Sequence, residues 1–566
     1  MASRSTRVLP GLPLALSWTL LHLGLLVLLP LGAVVFAGLR LPFDELGDML
    51  ARPRVSAAFM LSFGASAVAG LIAMVAGSVV AWALVRRRFP GRALIDALVD
   101  LPFALPTAVA GIALTAVYAK TGALGKPLAS LGIELAYNRA GVVLALVFVG
   151  LPFVVRAVQP VLETLDPTQE QAARLLGASR WQILVRVILP QIRPAALTGF
   201  LLAFARGLGE YGSVIFIAGN MPMKTEILPL LIMTELEQFA YPEATALGLV
   251  MLAVSLVLLL AINLVQARLA KRVRLSSGNH ERAKSERAGV QGIGLTLVAS
   301  ATMLLLVLVP VLVVLHGALG HGAGPWWRAL TSPDTRHALG LTLAVVGVTL
   351  PLVIAFGLAA AWSLAKFEFP GRRLLISLID LPFAVSPVIA GMAFVLLFGG
   401  HTELGRWLAA HDLRIVFAFP GLVLATVFVT TPMVARELLP LLEGQGNEQE
   451  LAALTLGASG WQTALRVTLP RIRWALIYGV ALATARAVGE FGAVSVVSGH
   501  VRGRTNTLSL HVEALYAEYD AAGAFAVATL LLAVAFACLA VQRLVLARIS
   551  RAPNTTESEK EASWTS

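Results

Sequence analysis

The chain has 566 residues, of which 58% are hydrophobic and only 13% are charged. Soluble domains carry about 25% charged residues, so this composition excludes an ordinary soluble protein and is typical of a membrane protein. The formal net charge of +12 does not indicate nucleic-acid binding, because basic residues gather at the cytoplasmic ends of membrane helices. A single cysteine, Cys538, excludes an intrachain disulfide.

Twelve apolar runs follow one another, each long enough for the about 20 helical residues that cross a bilayer. In the first half they lie near 12–39, 57–85, 94–119, 141–163, 196–219 and 245–267. In the second half they lie near 292–317, 337–365, 374–399, 418–443, 476–498 and 522–546. The first run is too long for a signal peptide and lacks a convincing cleavage site, so we predict that it is a transmembrane helix.

The two halves repeat one pattern at an offset of 280 residues. The stretch RALIDALVDLPFALPTAVAG at 92–111 matches RRLLISLIDLPFAVSPVIAG at 372–391 without a gap. Matched residues include tryptophan, proline, glycine and charged types, which low complexity does not produce. The sequence therefore predicts an all-α membrane protein with two homologous six-helix transmembrane bundles in tandem.

We predict a first half at 1–269, a polar linker at 270–291, a second half at 292–548 and a polar tail at 549–566. The loops on one side of the predicted membrane carry 26 lysines and arginines, against 13 in the alternate loops. The positive-inside rule then places both termini, the linker and the long loops after each fourth helix in the cytoplasm. The halves are predicted to be parallel repeats, related by an axis along the membrane normal.

Two loops between the fourth and fifth helices are too polar to span and too regular to be linkers. They read EQAARLLGASRWQILVRVILP at Glu170–Pro190 and ELAALTLGASGWQTALRVTLP at Glu450–Pro470; we call them the paired loops. In each we predict a short helix that ends at a glycine in a left-handed cap. A second helix then runs to the proline, which stops or kinks the chain. Two exposed apolar helices predict docking onto a two-fold partner; packing under their own bundle is the alternative.

At these loops the chain resembles the permease family of binding-protein-dependent ABC importers, whose motif is Glu-Ala-Ala, three residues, Gly, nine or ten residues, then Ile-x-Pro or Ile-Leu-Pro. The glutamate stands one residue early, and Thr468 replaces the isoleucine of the second loop. The resemblance implies a type I importer permease fold and docking of the loops on a cytoplasmic ABC ATPase dimer. The coupling residues it implies are Glu170, Ala172, Ala173, Gly177, Pro190, Glu450, Ala452, Ala453, Gly457 and Pro470.

Stretches within the membrane narrow the resemblance. LPFALPTAVAGIAL at 101–114 and EYGSVIFIAGNMPMKTEILPLLI at 210–232 resemble the T-type subunit of the sulfate/thiosulfate importer. LPFAVSPVIAGMAF at 381–394 and GEFGAVSVVSGHVRGRTNTLSLHVE at 489–513 resemble its W-type subunit. These subunits are normally separate chains, and here they are fused. Molybdate permeases are similar and stay an alternative, as does a secondary transporter, which would not explain the paired loops.

This resemblance implies import of sulfate or thiosulfate by alternating access, across the plasma (inner) membrane of a bacterium. It also implies an extracytoplasmic sulfate-binding protein as a partner. No G-x-x-x-x-G-K-[S/T] phosphate loop occurs, so we expect a separate subunit to hydrolyse ATP and this chain not to be an enzyme. The nine histidines are scattered, and we expect no catalytic residue, cofactor, metal site or nucleic acid.

Each fifth helix carries an arginine and a glutamate four residues apart, which share a helix face and can pair. Either the pair neutralises itself and rigidifies the core, or the arginine helps an anion to pass. Two prolines near the start of each third helix predict a bend, which either lines a pathway or serves packing. The pathway candidates are Arg206, Glu210, Arg486, Glu490, Pro106, Thr107, Ser386 and Pro387. Three cations, Lys224, Arg502 and Arg504, are predicted to lie exposed on the outer side. They either receive a binding protein or form an ordinary solvated surface.

Overall fold

The computed structural model describes residues 9–165, 167–276, 293–320 and 322–551. Within these ranges every regular element is a helix. Among the described residues nine helices are long and apolar enough to cross a membrane, and counting three bent helix pairs as single spans gives 12. The all-α membrane fold with six spans in each half is thereby confirmed.

The spans are numbered α1 to α12 in chain order. Those of the first half are α1 Leu12–Leu39, α2 Pro53–Arg86, α3 Arg92–Ala104 with Thr107–Tyr118, α4 Arg139–Thr164, α5 Trp181–Leu208 and α6 Tyr241–Ser276. Those of the second half are α7 Gly294–Leu319, α8 Pro333–Lys366, α9 Arg372–Ala384 with Pro387–Phe398, α10 Phe419–Gly444, α11 Gly460–Val488 with Gly492–Ser498, and α12 Ala521–Arg551. Short helices join them at Phe43–Ala51, Gly125–Ser130, Pro167–Leu175, Val214–Ile217, Leu228–Glu237, Ala323–Thr331, Glu403–Ala410, Glu448–Thr455 and Leu508–Ala517.

The division of the chain at residues 269 and 292 stays a prediction. Helix α6 continues to Ser276, so the first residues of the predicted linker are helical. Residues 277–292 of that linker lie outside the described residues, as does the tail beyond 551.

Within each half, the fourth span packs between the second and the fifth. Glycines allow these close approaches: a Cβ added at Gly77 of α2 would lie 2.9 Å from the Val154 side chain of α4. One added at Gly199 of α5 would lie 2.8 Å from Val154 Cα. The second half repeats the contact, with Gly357 against Val434. Small residues of this kind are how helices pack tightly in a bilayer, where no hydrophobic force draws them together.

The first span of each half packs on the other half. Helix α1 lies on α8 and α9, and α7 lies on α2 and α3. Two polar contacts mark this exchange: His22 Nε2 lies 3.1 Å from Thr431 Oγ1, and Tyr118 donates a hydrogen bond to the Leu305 carbonyl at 3.2 Å. The last spans, α6 and α12, also contact the opposite half. The two halves therefore share one intertwined core.

Four π-helical turns precede four prolines at repeated positions. The turns are Gly24–Leu28, Leu184–Ile188, Leu304–Leu308 and Ala464–Thr468. Each proline follows its turn by two residues, at Pro30, Pro190, Pro310 and Pro470. Proline lacks an N–H and clashes with the carbonyl four residues earlier, and one extra residue in the turn removes that conflict. For this reason α5 runs on through Pro190 and α11 through Pro470, instead of stopping there as the sequence led us to expect.

Candidate functional site

The paired loops have the same backbone in both halves. Gly177 and Gly457 adopt φ of 81° and 89°, the left-handed region that favours glycine. The N–H of Ala178 bonds to the Ala173 carbonyl at 3.0 Å and that of Gly177 to the Arg174 carbonyl at 2.9 Å, which is the hydrogen-bond pattern of a Schellman cap. The predicted glycine cap is therefore present in the described structure.

A serine restarts the helix after each cap. In the first loop Ser179 and Gln182 bond reciprocally, at 2.8 and 3.3 Å. In the second, Ser459 and Gln462 do so at 2.8 and 3.2 Å. These capping boxes set the angle between the short loop helix and the following span.

Large apolar side chains at the tips of the paired loops point into solvent. Leu175 and Leu176 are 89% and 88% exposed, and Trp181 is 71% exposed. In the second loop Leu456 is 88% and Trp461 73% exposed. Ala172 and Ala452 are exposed too, whereas Ala173 and Ala453 are half-buried. Clusters of exposed apolar residues are typical of surfaces that contact another protein or a membrane.

The two loop glutamates face the opposite way, into the bundle. Glu170 pairs with Arg86 at 2.8 Å, and Glu450 pairs with Lys366 at 3.1 Å, both side chains of the second pair being fully buried. Arg86 and Lys366 end α2 and α8. The glutamates thus tie each loop helix to its own half, and their coupling role stays a prediction.

Thr468 stands where the family motif has an isoleucine, and its side chain contacts Glu450. Its hydroxyl lies 3.4 Å from Glu450 Oε1, and Arg471 lies 3.6 Å from Glu450 Oε2. A buried carboxylate needs several such partners to offset its lost hydration. The sequence pattern missed Arg86, Lys366 and Arg471, although the 280-residue offset keeps a basic residue at the end of both second spans.

A cavity of about 490 Å³ lies between the halves. Of the predicted pathway residues, Arg206, Arg486, Thr107 and Pro387 line it. The other charged or polar groups on its wall are Asp100, Arg156, Arg436, Glu437, Tyr478 and Gln542. The cavity thus carries four arginines, each close to a carboxylate, with apolar and aromatic side chains between them.

Breaks in the third spans shape this cavity. The two parts of α3 meet at 117° and those of α9 at 101°. Leu105, which precedes Pro106, is extended because a residue before proline avoids the helical conformation. The predicted bends are confirmed. Ser386 is not on the wall, because its hydroxyl donates to the Gly209 carbonyl of the other half at 3.0 Å.

Both predicted arginine–glutamate pairs form, each at 2.7 Å. Glu210 also accepts hydrogen bonds from the backbone and hydroxyl of Ser213 at 3.0 and 2.9 Å. Glu490 accepts one from the Ala493 backbone at 3.0 Å. The glutamates are buried behind the cavity wall, so the arginines reach the cavity already neutralised, as the low-dielectric interior requires.

The halves close tightly beside these pairs. A Cβ added at Gly209 would lie 3.0 Å from Ser386 Cα, and one added at Gly489 would lie 3.0 Å from Pro106. Further along, Tyr211 stacks on Phe491 with centroids 5.7 Å apart. This aromatic contact and the close backbones join the two halves beside the cavity.

An ionic cluster that the sequence reading missed joins the halves on the cavity wall. Arg156 of α4 lies 2.6 Å from Asp100 and 2.9 Å from Asp96, both on α3. Arg543 of α12 reaches the same aspartates, at 2.5 Å from Asp96 and 3.3 Å from Asp100. Ionisable residues inside apolar runs are the sequence feature that would have found this cluster.

The three predicted outer cations are exposed. Arg502 is engaged by Glu518 at 2.5 Å and lies 3.9 Å from Asp334. Its hydrogen bond lowers the pKa of Glu518 below the usual value. The Lys224 carbonyl accepts a hydrogen bond from Arg139 at 3.1 Å. These loops are thus held by ion pairs and hydrogen bonds near a solvated surface.

Two intertwined six-helix halves around a charged cavity, with exposed loops at one end, define a membrane transport protein. A family model described as "Binding-protein-dependent transport system inner membrane component" matches twice, at residues 73–275 and 353–551, and the chain belongs to this family. The family resemblance inferred from the paired loops is confirmed.

Curated relatives match half of the chain at a time. The sulfate transport system permease protein CysW of Escherichia coli (strain K12) is 45% identical over 268 residues, which are 47% of this chain and 91% of that protein. The protein CysT of the same organism is 47% identical over 272 residues, 48% of this chain and 98% of its own length. "Sulfate permease 2, chloroplastic" of Chlamydomonas reinhardtii is 50% identical over 242 residues, 43% of this chain and 66% of that protein.

Proposed function

We propose that this chain is a transmembrane permease of an ATP-driven importer and moves sulfate or thiosulfate across the plasma membrane by alternating access. The observation that supports this most is the pair of exposed loop tips, Leu175–Leu176 with Trp181 and Leu456 with Trp461. Two such surfaces, one on each half, fit the two subunits of a cytoplasmic ABC ATPase dimer.

The substrate assignment rests on the relatives and on the cavity. The two kinds of relative are named for sulfate transport, which supports the proposal of a T-type half at 1–269 and a W-type half at 292–548. The cavity arginines are each compensated by a carboxylate. A compensated arginine attracts a dianion without holding it, because bare positive charge in a low-dielectric site would bind it too strongly to release.

The proposed orientation places the paired loops, both termini and the linker in the cytoplasm, as the excess of basic residues on that side predicts. The opposite end then receives an extracytoplasmic sulfate-binding protein. In this conformation Tyr211 stacks on Phe491 across the two halves, and the proposal is that this contact closes the outer end before ATP binds.

Glu170 and Glu450 carry the motion in this scheme. ATP closes the ATPase dimer and moves the two loop tips together. Because each loop helix is tied to the end of α2 or α8 by an ion pair, the halves follow the tips and separate at their outer ends.

Reconstitution in proteoliposomes tests the function. We expect uptake of radioactive sulfate to require this chain, the ATPase, the binding protein and ATP together. A reaction without ATPase serves as the control, and molybdate serves as the competitor. Uptake that persists without the ATPase would contradict the importer, and uptake blocked by molybdate at equal concentration would contradict the substrate assignment.

A further inference from the structure

The cavity wall holds one arginine at the same position of each half, Arg156 on α4 and Arg436 on α10. Both line the cavity. Each pairs with the equivalent aspartate of the third span, Arg156 with Asp100 at 2.6 Å and Arg436 with Asp380 at 3.1 Å. Their other surroundings differ, and this difference decides which guanidinium is available to a substrate.

Every N–H of Arg156 is already used. A guanidinium has five N–H donors. Nε donates to Asp100 at 2.7 Å; Nη1 donates to Asp96 at 2.9 Å and to Gln159 at 2.6 Å. Nη2 donates to the Asp96 carbonyl at 3.1 Å and to the Asp100 carboxylate at 2.6 Å. With Arg543 on the same two carboxylates, Arg156 is a fixed part of the contact between the halves.

The second half lacks the other members of this cluster. Ile376 corresponds to Asp96 and Leu439 corresponds to Gln159. The residue that corresponds to Arg543 is Asn263, which the first half contributes. Asn263 instead donates to the Ser377 hydroxyl at 3.1 Å. Arg436 therefore has one carboxylate beside it, whereas all the N–H groups of Arg156 have acceptors.

Arg436 keeps a free edge as a result. Its Nε lies against Asp380, and its guanidinium lies over the Phe383 ring, 4.8 Å from the centroid. Its side chain is 44% exposed, although it sits within the bundle. Neither Nη1 nor Nη2 donates a hydrogen bond to a described residue, and Arg436 lines the cavity.

We infer that Arg436 contacts the translocated oxyanion through Nη1 and Nη2, and that Arg156 is structural. This inference rests on the proposed function. Two parallel N–H donors in one plane match two oxygens of a tetrahedral oxyanion. A lysine ammonium cannot bind two oxygens in this planar, bidentate way. Asp380 and Phe383 hold the plane of the guanidinium, so its free edge is oriented before the anion arrives.

Glu437 keeps this contact brief. It follows Arg436, lines the same cavity and has no ion-pair partner among the described residues. Its carboxylate repels a bound dianion. Anion binding at Arg436 is therefore opposed from the next residue, which favours release over retention.

The test compares Arg436→Gln with Arg156→Gln as the matched control, in the full chain assembled with its ATPase and binding protein. For Arg436→Gln we expect sulfate uptake to fall by about tenfold or more, because hydrogen bonds to a charged group are lost. Its melting temperature without sulfate should fall less than that of Arg156→Gln, because only Asp380 loses a partner, and the upward shift expected from sulfate in the wild-type permease should disappear. Arg436→Lys should recover uptake only in part.

For Arg156→Gln we expect a lower melting temperature and a lower yield. The five hydrogen bonds that Arg156 donates to Asp96, Asp100 and Gln159, at the contact between the halves, would be lost. Wild-type uptake by Arg436→Gln would overturn the inference. So would an equal loss of melting temperature in both variants, because it would give Arg436 a structural role. Failure of the proposed function shows differently, as no sulfate uptake by the wild-type complex, and it would also overturn the assignment.

Discussion

Arg206 and Glu210 show at the residue scale how this protein keeps charge inside a bilayer. The carboxylate is 1% exposed and receives the guanidinium together with two donors from Ser213. A charge removed from water is stable only with such partners. The pair thus neutralises itself inside the bundle, and Arg206 also lines the cavity; a role of the arginine in anion passage stays a prediction.

Replacing Arg206 alone by glutamine leaves Glu210 buried without its cation. We expect this variant to lose about 3 kcal/mol of stability, and the double variant Arg206→Gln/Glu210→Gln to lose less. Thermal unfolding of the purified permease measures both. Equal losses in the two variants would show that the arginine does not serve mainly to neutralise the glutamate.

Gly177→Val places a β-branched residue at φ 81°, where it costs about 1–2 kcal/mol locally. We expect sulfate uptake to be lost while the span helices stay folded, because the loop tip is turned away from the ATPase. Gly132→Val is the matched control: Gly132 also has positive φ, at 76°, and open space around it, but lies at the opposite end. Normal uptake by Gly177→Val would count against the coupling role.

At the scale of elements, the paired loops combine an outward apolar tip with an inward acidic anchor. We expect Leu175→Ser/Leu176→Ser to reduce copurification of the ATPase at least about tenfold, since apolar side chains buried at an interface contribute most of its free energy. The melting temperature should not change, because both side chains are almost fully exposed.

Leu131→Ser, 74% exposed at the opposite end of the bundle, is the control for this loop variant and should retain the ATPase. If Leu175→Ser/Leu176→Ser also retained it fully, the tips would not be the docking surface.

Elements were predictable from sequence where one local rule decides them. The bends in α3 and α9 follow from prolines, and the cap at Gly177 follows from a glycine after an apolar face. The π turns were not predictable, because a proline in a helical pattern is compatible with a stop, a kink or an inserted residue. Only packing of the whole span selects the third outcome.

Side-chain partners across the fold were less predictable. Arg543 and Asp96 are 447 residues apart in sequence, and no spacing rule connects them. The direction of Glu450 was equally hidden, because a glutamate on a polar loop is usually solvated and this one is fully buried against Lys366. The repeat gave the positions of such residues in both halves but not what they touch.

At the scale of the whole molecule, each half completes the other. Because α1 packs on α8 and α7 on α2, separate chains of residues 1–276 and 293–566 should form a stable complex when coexpressed. Either chain expressed alone should aggregate, since it exposes the face that the exchanged helix covers. A tag on the first chain and analysis of the purified material measure this. Two separately stable monomers would contradict the intertwined core.

The contact of Arg543 with Asp96 and Asp100 also makes each half pair better with the other kind of half than with a second copy of itself. Two copies of the first half would set Asn263 against Asp96 and Asp100, leaving negative charge without its external cation. Two copies of the second half would set Arg543 against Ile376, burying a cation beside a hydrocarbon side chain. Only the pairing of a first half with a second half balances these charges, so the contact disfavours pairing of identical halves. Joining both halves in one polypeptide enforces the same one-to-one stoichiometry by covalent linkage.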